Sequence, residues 1–162
     1  MQVAGRREAA VSIPRARVAI LHAEYYLDAI ERMTEACVEV LAGTGGEAPD
    51  IFSLPGCVEL PLAARRIARL GKGYEAIIVF GVVIKGDSYH FDIVVDTATR
   101  GLAQVSLEED IPIIIEIIPA DSLAIIEART GRNSESNKGI EAAVTASKVI
   151  AWRREHQPCS QG

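Results

Sequence analysis

The residues best suited to chemistry stand in one stretch, Gly81 to Asp92, where an apolar run leads into a glycine turn and then into a helix that carries His90 in its first turn. The first backbone N–H groups of a helix have no partner within it, and the helix dipole adds partial positive charge there, so this turn suits an anion such as phosphate. A histidine there can accept and return a proton. The stretch therefore predicts proton transfer beside a bound anion.

Length and composition indicate a single domain of ordinary size. The chain has 162 residues, of which 49% are hydrophobic and only 5% aromatic, as is typical of helices packed on a buried parallel sheet. We expect a flexible N-terminal arm over residues 1–15, one domain over residues 16–155 and a disordered tail over residues 156–162. The net charge of −5, without a dense cluster of Lys and Arg, argues against nucleic acid and membranes as partners.

Three widely separated cysteines, Cys37, Cys57 and Cys159, show no metal-ligand spacing. Their odd number favours free thiols in a reducing, cytoplasmic setting, and the sequence predicts no metal site. No segment approaches the roughly 20 apolar residues of a membrane span. We therefore expect a cytoplasmic protein.

Hydrophobic periodicity predicts strands at residues 17–23, 51–54, 75–83 and 111–118. Between and after them it predicts helices from residue 27 to about 42, from 58 to 70, from a cap at Asp87 or Ser88 to about 105, from 119–121 to 130, and from 140 to 153. The inward positions of the last helix are Ile140, Ala143, Val144, Ser147 and Ile150. Such alternation predicts an α/β fold, a three-layer α/β/α sandwich on a four-stranded parallel sheet, with ligand-binding segments after the carboxyl ends of its strands.

Four motifs occur in a fixed order: Pro55-Gly56-Cys57-Val58-Glu59-Leu60-Pro61, the stretch from Gly81 to Asp92, Gly101-Leu102-Ala103-Gln104-Val105, and Asn137-Lys138-Gly139. Over roughly residues 17–152 the chain thereby resembles the lumazine synthase family of riboflavin biosynthesis. The resemblance implies a flavodoxin-like strand order and no cofactor. It also implies the condensation of 5-amino-6-ribitylaminouracil with 3,4-dihydroxy-2-butanone 4-phosphate, which releases phosphate and water.

The resemblance also implies roles for individual residues. His90 falls on the family's catalytic histidine, and the backbone amides near Asp87 and Ser88 fall on its phosphate cradle. Arg129 matches an arginine that a neighbouring subunit contributes to that phosphate, and Lys138 matches a second basic position nearby.

On the pyrimidine side, the resemblance implies that Tyr25 stacks on the ring and that Glu59 meets the ribityl hydroxyls. The ring itself would be held by backbone groups of Cys57 and Val58 and by the segment Val82-Val83-Ile84. Ile115, which stands where phenylalanine is common in the family, would also contact the substrate. Burying the ribityl hydroxyls without partners would be costly, so a carboxylate there is physically sensible.

Several positions depart from the family's pattern. Tyr26 replaces a usual asparagine, Val58 and Ile115 replace phenylalanines, and Glu116 replaces a usual glycine. The family assembles as pentamers or assemblies of pentamers, and a loop at residues 131–137 that is one residue longer than in typical shell-forming members favours an isolated pentamer. Two alternatives therefore stay open, a non-catalytic assembly or ligand-holding member of the same fold and the related riboflavin synthase type.

Each candidate residue also has a purely structural interpretation. His90 and Arg129 could be solvated, Tyr25 could cover the rim of the core, and Glu59 could only complement a helix dipole. Cys57 is expected to be a small packed residue rather than a nucleophile, because no basic group stands near it in the sequence.

Overall fold

A computed structural model describes residues 9–87, 89–132 and 134–159. In these residues four strands alternate with five α-helices, and a 3₁₀ turn at Cys57–Glu59 leads into the second helix. The elements are β1 Val18–Ala23, α1 Leu27–Ala42, β2 Asp50–Leu54, α2 Leu60–Ala68, β3 Ala76–Ile84, α3 His90–Glu108, β4 Ile113–Ala120, α4 Leu123–Thr130 and α5 Lys138–Glu155. The predicted alternation of strands and helices is confirmed.

The four strands form one parallel sheet in the order β2-β1-β3-β4. This is the flavodoxin-like order, in which the chain runs from β1 outward to β2 and then crosses back to β3 and β4. The central strand β3 is buried from Ala76 to Val82, as its nearly continuous apolar sequence predicts. The expected fold class is therefore confirmed.

Side chains alternate between the two faces of the sheet and so build two separate cores. On one face Ile78, Phe80 and Val82 pack against buried residues of α1, α4 and α5. On the other face Ile77 and Val79 pack against α2 and α3. The sheet is thus the middle layer of three, with α4 and α3 on opposite sides of it.

The start of α3 differs from the prediction. The helix begins at His90, its N-cap residue is Tyr89, and the Tyr89 side chain makes no cap hydrogen bond. The predicted cap at Asp87 is wrong because this exposed residue lies two positions before Tyr89, and the alternative cap, Ser88, lies outside the described residues.

The helix predicted to open at residues 119–121 begins later, at Leu123. Pro119 belongs instead to β4, an edge strand, where a residue without an N–H is tolerated because one side of the strand needs no ladder bond. In α5 the prediction is wrong for Ile140 and Val144, which are only half-buried, while Ala142 and Ala146 are fully buried.

Small residues occupy the buried face of α5 because this helix approaches α1 very closely. A Cβ added to Gly139 would lie 1.9 Å from the Met33 carbonyl oxygen, so only glycine fits at this crossing. A similar but looser approach joins α3 to α2, where a Cβ on Gly101 would lie 2.8 Å from Pro61 Cγ. These two glycines belong to the motifs noted in the sequence.

Residues 9–15 contact the body of the domain. Ile13 is buried, and its N–H donates to the Thr44 carbonyl at 2.9 Å. The Val11 N–H donates to the Ser147 hydroxyl at 3.1 Å. The proposed division of the chain at residue 16 stays a prediction.

Candidate active site

The carboxyl edge of the sheet is stepped. β1 and β2 end side by side at Ala23 and Leu54. The pairing of β3 with β1 ends at Phe80, whereas β3 continues beside β4 to Ile84. At about 3.3 Å per residue, four further residues extend β3 by roughly 13 Å. The loops that follow β1 and β2 therefore lie below a wall formed by the last residues of β3.

The last residues of β3 have one backbone edge that faces the place where β1 has ended. The Lys85 N–H donates to the Ala120 carbonyl at 2.8 Å, so residues 83 and 85 direct their backbone groups toward β4. Because successive residues of a strand alternate, the N–H and C=O groups of Val82 and Ile84 point to the side where β1 has ended. The predicted segment Val82–Ile84 thus lies at the step with hydrogen-bonding groups directed across it.

Two loop residues converge at the foot of this wall. A Cβ added to Gly56 would lie 2.9 Å from Glu59 Oε2 and 3.7 Å from Tyr25 Cε2. The carboxylate and the ring edge therefore both lie over Gly56, although they come from different loops. Tyr25 is 66% exposed, and Glu59 is exposed. An open aromatic face and an open carboxylate thus stand side by side.

The turn that carries Tyr25 is fixed by its neighbours. The Ser53 hydroxyl donates to Glu24 Oε1 at 2.9 Å and ties this turn to β2. Tyr26 has φ 59° and ψ 50°, a left-handed conformation in which the tyrosine carbonyl accepts the first N–H groups of α1, from Ala29 at 3.0 Å and Ile30 at 3.2 Å. Asparagine, the usual family residue here, adopts this conformation more readily than tyrosine does.

Cys57 lies behind these residues and packs against β3. A Cβ added to Gly81 would lie 2.6 Å from Cys57 Sγ, so the thiol occupies the space that this glycine leaves. Burial, and then the negative charge of Glu59, raise the pKa of Cys57 to about 11. The side chain therefore stays a neutral thiol and is unsuited to act as a nucleophile. Val58, next to it on the 3₁₀ turn, is 45% exposed.

His90 stands at the start of α3, beyond the end of β3, and is exposed. The first backbone bond of the helix runs from the Ile93 N–H to the Tyr89 carbonyl at 3.3 Å. The N–H groups that precede the first backbone bond of a helix are the ones that suit an anion. Gly86 leaves the approach open, because a Cβ there would have no described atom within 4 Å.

These features together form what we call the carboxyl-edge surface. It joins an aromatic ring, a carboxylate, strand-edge backbone groups, and a histidine at a helix start. Its members are Tyr25, Gly56, Val58, Glu59, Val82, Ile84 and His90.

The remaining predicted residues lie elsewhere in the chain. Arg129 is exposed in the last turn of α4, on the opposite face of the sheet from α3, and no hydrogen bond or ion pair reaches its guanidinium from the described residues. Lys138 opens α5 on that same opposite face, and its Nζ lies 2.7 Å from Glu141 Oε2. Within one chain the structure does not bring these cations to His90.

Ile115 is also separate from the carboxyl-edge surface. It is half-buried in the middle of β4, opposite Val79 in the register and five residues before the end of the strand. That spacing places it roughly 16 Å below the carboxyl edge. β4 is an edge strand of the described sheet, so Ile115 lies beside an unpaired strand edge.

Glu116, the following residue, points to the other face of the sheet, toward α5. Burial raises its pKa to about 7, the nearby charge of Lys138 lowers it, and the charge of Glu141 raises it. The carboxyl group thus occupies a position where the family's usual glycine would place no charge.

The α4–α5 junction contains supporting residues to which the sequence analysis gave no role. Asn137 is 1% exposed, and its side-chain amide donates to the carbonyls of Thr130 and Gly131 at 3.2 Å each. Its Oδ1 accepts the Gly139 N–H at 2.8 Å and so caps α5. Arg32 of α1 donates to the Thr130 carbonyl at 3.2 Å. The motif Asn137-Lys138-Gly139 gave a signal for this junction, whereas Arg32 gave none.

The described part of the chain contains no cluster of three or more His, Cys, Asp or Glu side chains that could hold a metal ion. None of its helices is long and apolar enough to cross a membrane.

The fold and the carboxyl-edge surface define a parallel α/β enzyme that binds small molecules at the carboxyl ends of its strands. A model of the 6,7-dimethyl-8-ribityllumazine synthase family matches residues 15–154, and the chain belongs to this family. It is 37% identical over 129 residues to the 6,7-dimethyl-8-ribityllumazine synthase of Pyrococcus furiosus, covering 80% of each chain. It is 32% identical over 137 residues to the synthase of the same name from Chlorobium phaeovibrioides, covering 83% of this chain and 87% of the relative.

Proposed function

We propose that this chain catalyses the condensation of 5-amino-6-ribitylaminouracil with 3,4-dihydroxy-2-butanone 4-phosphate to 6,7-dimethyl-8-ribityllumazine, a step of riboflavin biosynthesis. Membership of the family supports the reaction. The observation that carries the site is the position of His90, exposed at the start of α3 beyond the carboxyl end of β3, the edge of the sheet where Tyr25 and Glu59 meet over Gly56. The reaction needs all three kinds of group close together.

The chemistry proceeds through an imine between the pyrimidine's amino group and the ketone, whose oxygen leaves as water. Removal of the proton from the adjacent hydroxyl-bearing carbon then lets phosphate leave, and this carbon becomes a carbonyl by a shift of protons. The ribitylamino nitrogen attacks that carbonyl and closes the second ring with loss of a second water. His90 accepts and returns protons during these steps, which is the usual task of a histidine in general acid–base catalysis. The N–H groups of residues 90–92, together with the amides near Asp87 and Ser88, hold the phosphate before and after it leaves.

The carboxyl-edge surface also provides for the pyrimidine. Tyr25 stacks on the ring, and the backbone groups of Val82 and Ile84 bond its polar edge, with the segment 57–58 closing the other side. Glu59 accepts hydrogen bonds from the ribityl hydroxyls. Tyr25 is open to such a ligand because most of its surface is exposed.

A second copy of the chain completes this site. Arg129, Lys138 and Ile115 match family positions that serve the substrates, yet within one chain they lie away from His90. A homo-oligomer, a pentamer or an assembly of pentamers, brings them to the neighbouring carboxyl-edge surface. Arg129 supports this arrangement because it is exposed and unpaired in the described part of the chain.

We place the protein in the cytoplasm as part of the same proposal. The support is that Cys37 and Cys57 are buried free thiols, which is usual in a reducing compartment.

The test is to mix the protein with both substrates and to follow lumazine fluorescence together with phosphate release. We expect His90→Ala to lower kcat by about 10²-fold or more, since a positioned acid–base group contributes that much. His156→Ala, which removes an exposed histidine at the end of α5, is the matched control and should leave the rate unchanged. A parent protein that makes no lumazine would contradict the proposed function.

Arg129→Ala separates the phosphate role from the proton role. It should raise KM for the butanone phosphate and change kcat much less, because the guanidinium binds the substrate rather than moving protons. Arg66→Ala, at an exposed position of α2, is the matched control. A reversed pattern, in which Arg129→Ala lowers kcat while His90→Ala raises only KM, would refute these assignments.

A further inference from the structure

The end of α4 presents Arg129 among acceptors that other donors already occupy. A basic residue in the last turn of a helix commonly donates to the last carbonyls of that helix. Here the carbonyls of residues 127, 128, 130 and 131 accept bonds from other groups. The donors are the Gly131 N–H, the Ser134 and Ser136 hydroxyls, the Arg32 guanidinium, the Asn137 amide and the Ser134 N–H. In the described part of the chain, these four carbonyls around Arg129 therefore already have donors other than Arg129.

Arg32 makes the most extensive of these contacts. Its Nε donates to the Thr130 carbonyl at 3.2 Å, and its Nη2 donates to Thr130 Oγ1 at 3.0 Å and to Glu127 Oε1 at 2.9 Å. Its side chain is only 19% exposed, whereas that of Glu127 is 54% exposed. The planar, five-donor guanidinium can make all three bonds at once, which a lysine cannot reproduce.

A second pair continues the attachment of α1 beyond the end of α4. Glu35, one turn after Arg32 in α1, lies with its Oε2 2.9 Å from Arg132 Nη2. The two pairs to α1 thus involve residues 127 and 132, on either side of Arg129. The helical neighbours of Arg129 at i−4 and i−3 are Ile125 and Ile126, which offer no charge. Helix α1 therefore engages the charged groups around Arg129 and leaves that guanidinium unpaired.

We propose that Arg32 is a positioning residue, which fixes the last turn of α4 and keeps Arg129 directed outward toward a phosphate. Without Arg32, the Glu127 carboxylate loses its partner, and the Thr130 carbonyl keeps only the bond from the Asn137 amide. The Arg129 side chain then has partners within its own helix end, and the last turn loses its attachment to α1. This inference rests on the proposed function, because that function assigns Arg129 to the phosphate of the butanone substrate.

The experiment compares Arg32→Lys with the parent enzyme, because lysine keeps the charge but lacks the planar guanidinium that makes three bonds at once. We expect KM for the butanone phosphate to rise about tenfold, the equivalent of one charge-assisted hydrogen bond. The KM for the pyrimidine and the kcat should change by less than about twofold, since neither depends on Arg129. Glu35→Gln is the matched control: it breaks the other pair to α1 without freeing a carbonyl and should leave all three constants unchanged.

Combining the substitutions tests whether Arg32 acts through Arg129. In an Arg129→Ala background, Arg32→Lys should add nothing to the KM for the butanone phosphate. Independent, multiplying effects would overturn the inference, as would an unchanged KM in Arg32→Lys alone or an equal loss for both substrates. Arg32→Gln, checked by circular dichroism and by mass in solution, replaces Arg32→Lys if the latter does not fold.

The same variants distinguish this inference from the function on which it rests. If the parent makes no lumazine, the proposed function fails, and calorimetric titration with inorganic phosphate then decides the inference. Weaker phosphate binding in both Arg32→Lys and Arg129→Ala supports it. Unchanged phosphate binding in Arg32→Lys overturns it.

Discussion

The carboxyl-edge surface and the α4–α5 junction supply the proposed site by opposite means. The first offers exposed groups, with Tyr25 66% exposed and both Glu59 and His90 open to solvent. The second is closed: Thr130 is 0% and Asn137 is 1% exposed, and both are hydrogen-bonded. One region keeps its polar groups open to a ligand, while the other is a closed hydrogen-bond network beside two basic residues, Arg129 and Lys138.

This difference leads to a simple expectation. Substitutions in the carboxyl-edge surface should change binding and rate with little effect on the free energy of unfolding, because few internal contacts are lost there. Substitutions in the junction should lower that free energy, because they leave buried groups without partners or force two helices apart. Gly139→Ala and Asn137→Ala test this expectation directly, and Glu116→Gln and Tyr26→Asn extend it to positions next to the two regions.

Gly139→Ala should have the largest effect. An added Cβ would lie 1.9 Å from the Met33 carbonyl oxygen, so α5 would have to move away from α1. We expect a loss of at least about 3 kcal/mol in the free energy of unfolding, the upper range for overpacking. Chemical denaturation of parent and variant measures it.

The control is Gly86→Ala in the loop before α3, where an added Cβ has no described atom within 4 Å. Its free energy of unfolding should stay within about 0.5 kcal/mol of the parent. Equal losses for the two glycines would remove the distinction between the junction and the carboxyl-edge surface.

Asn137→Ala should have the next largest effect. It removes the donor to two carbonyls and the acceptor that caps α5, all at a buried position. A loss of about 2 kcal/mol is expected, the typical penalty for unpaired buried groups. Asn137→Asp keeps the cap acceptor but loses the donors. Denaturation curves should therefore show this variant to be more stable than Asn137→Ala by at most the value of one cap, about 1 kcal/mol.

The framework of the molecule could be predicted from its sequence because it depends on periodicity. The apolar run of β3 and the helical spacing of α1 each reflect burial on a sheet, which a local pattern records. The site was predicted where it follows a strand end, as for His90. Its residue roles stay predictions.

The contacts that could not be predicted join distant parts of the chain. Arg32 reaches Thr130 across 98 positions, and nothing around Arg32 distinguishes it from a solvated arginine of an amphipathic helix. Asp87 was wrongly predicted as a cap of α3 for a related reason: a turn containing Asp87 resembles a cap in sequence, whereas the path of the backbone makes Tyr89 the N-cap residue. Such long-range and backbone effects leave no local pattern.

Glu116→Gln should reveal how much the charged Glu116 carboxyl lowers the free energy of unfolding, an effect that depends on pH. Glu116 points to the same face of the sheet as the α4–α5 junction. The pKa of Glu116 is raised to about 7 from its ordinary 4.5, so the folded chain is favoured while this carboxyl is protonated and loses stability as the pH rises from about 4.5 through about 7. The glutamine variant should match the parent near pH 4 and exceed it by about 1 to 2 kcal/mol at pH 8, after allowance for partial solvent exposure.

Thermal unfolding of both proteins at equal concentration, at a series of pH values, measures this difference. Glu155→Gln, at an exposed position of α5, is the control and should show no such trend. A variant that is equally more stable at every pH would mean that shape, rather than charge, explains the cost of Glu116.

Tyr26→Asn should have the smallest effect. It tests the comparison at the carboxyl edge, because Tyr26 follows Tyr25 of the carboxyl-edge surface. Tyr26 has φ 59°, which is costly for a bulky residue and readily adopted by asparagine, so the variant should gain about 0.5 to 1 kcal/mol in the free energy of unfolding. Tyr25→Asn, one residue earlier and outside the left-handed region, should gain nothing and should weaken pyrimidine binding. If Tyr26→Asn also weakens that binding, the left-handed tyrosine contributes to the ligand site, and the carboxyl-edge surface carries backbone strain for the sake of binding.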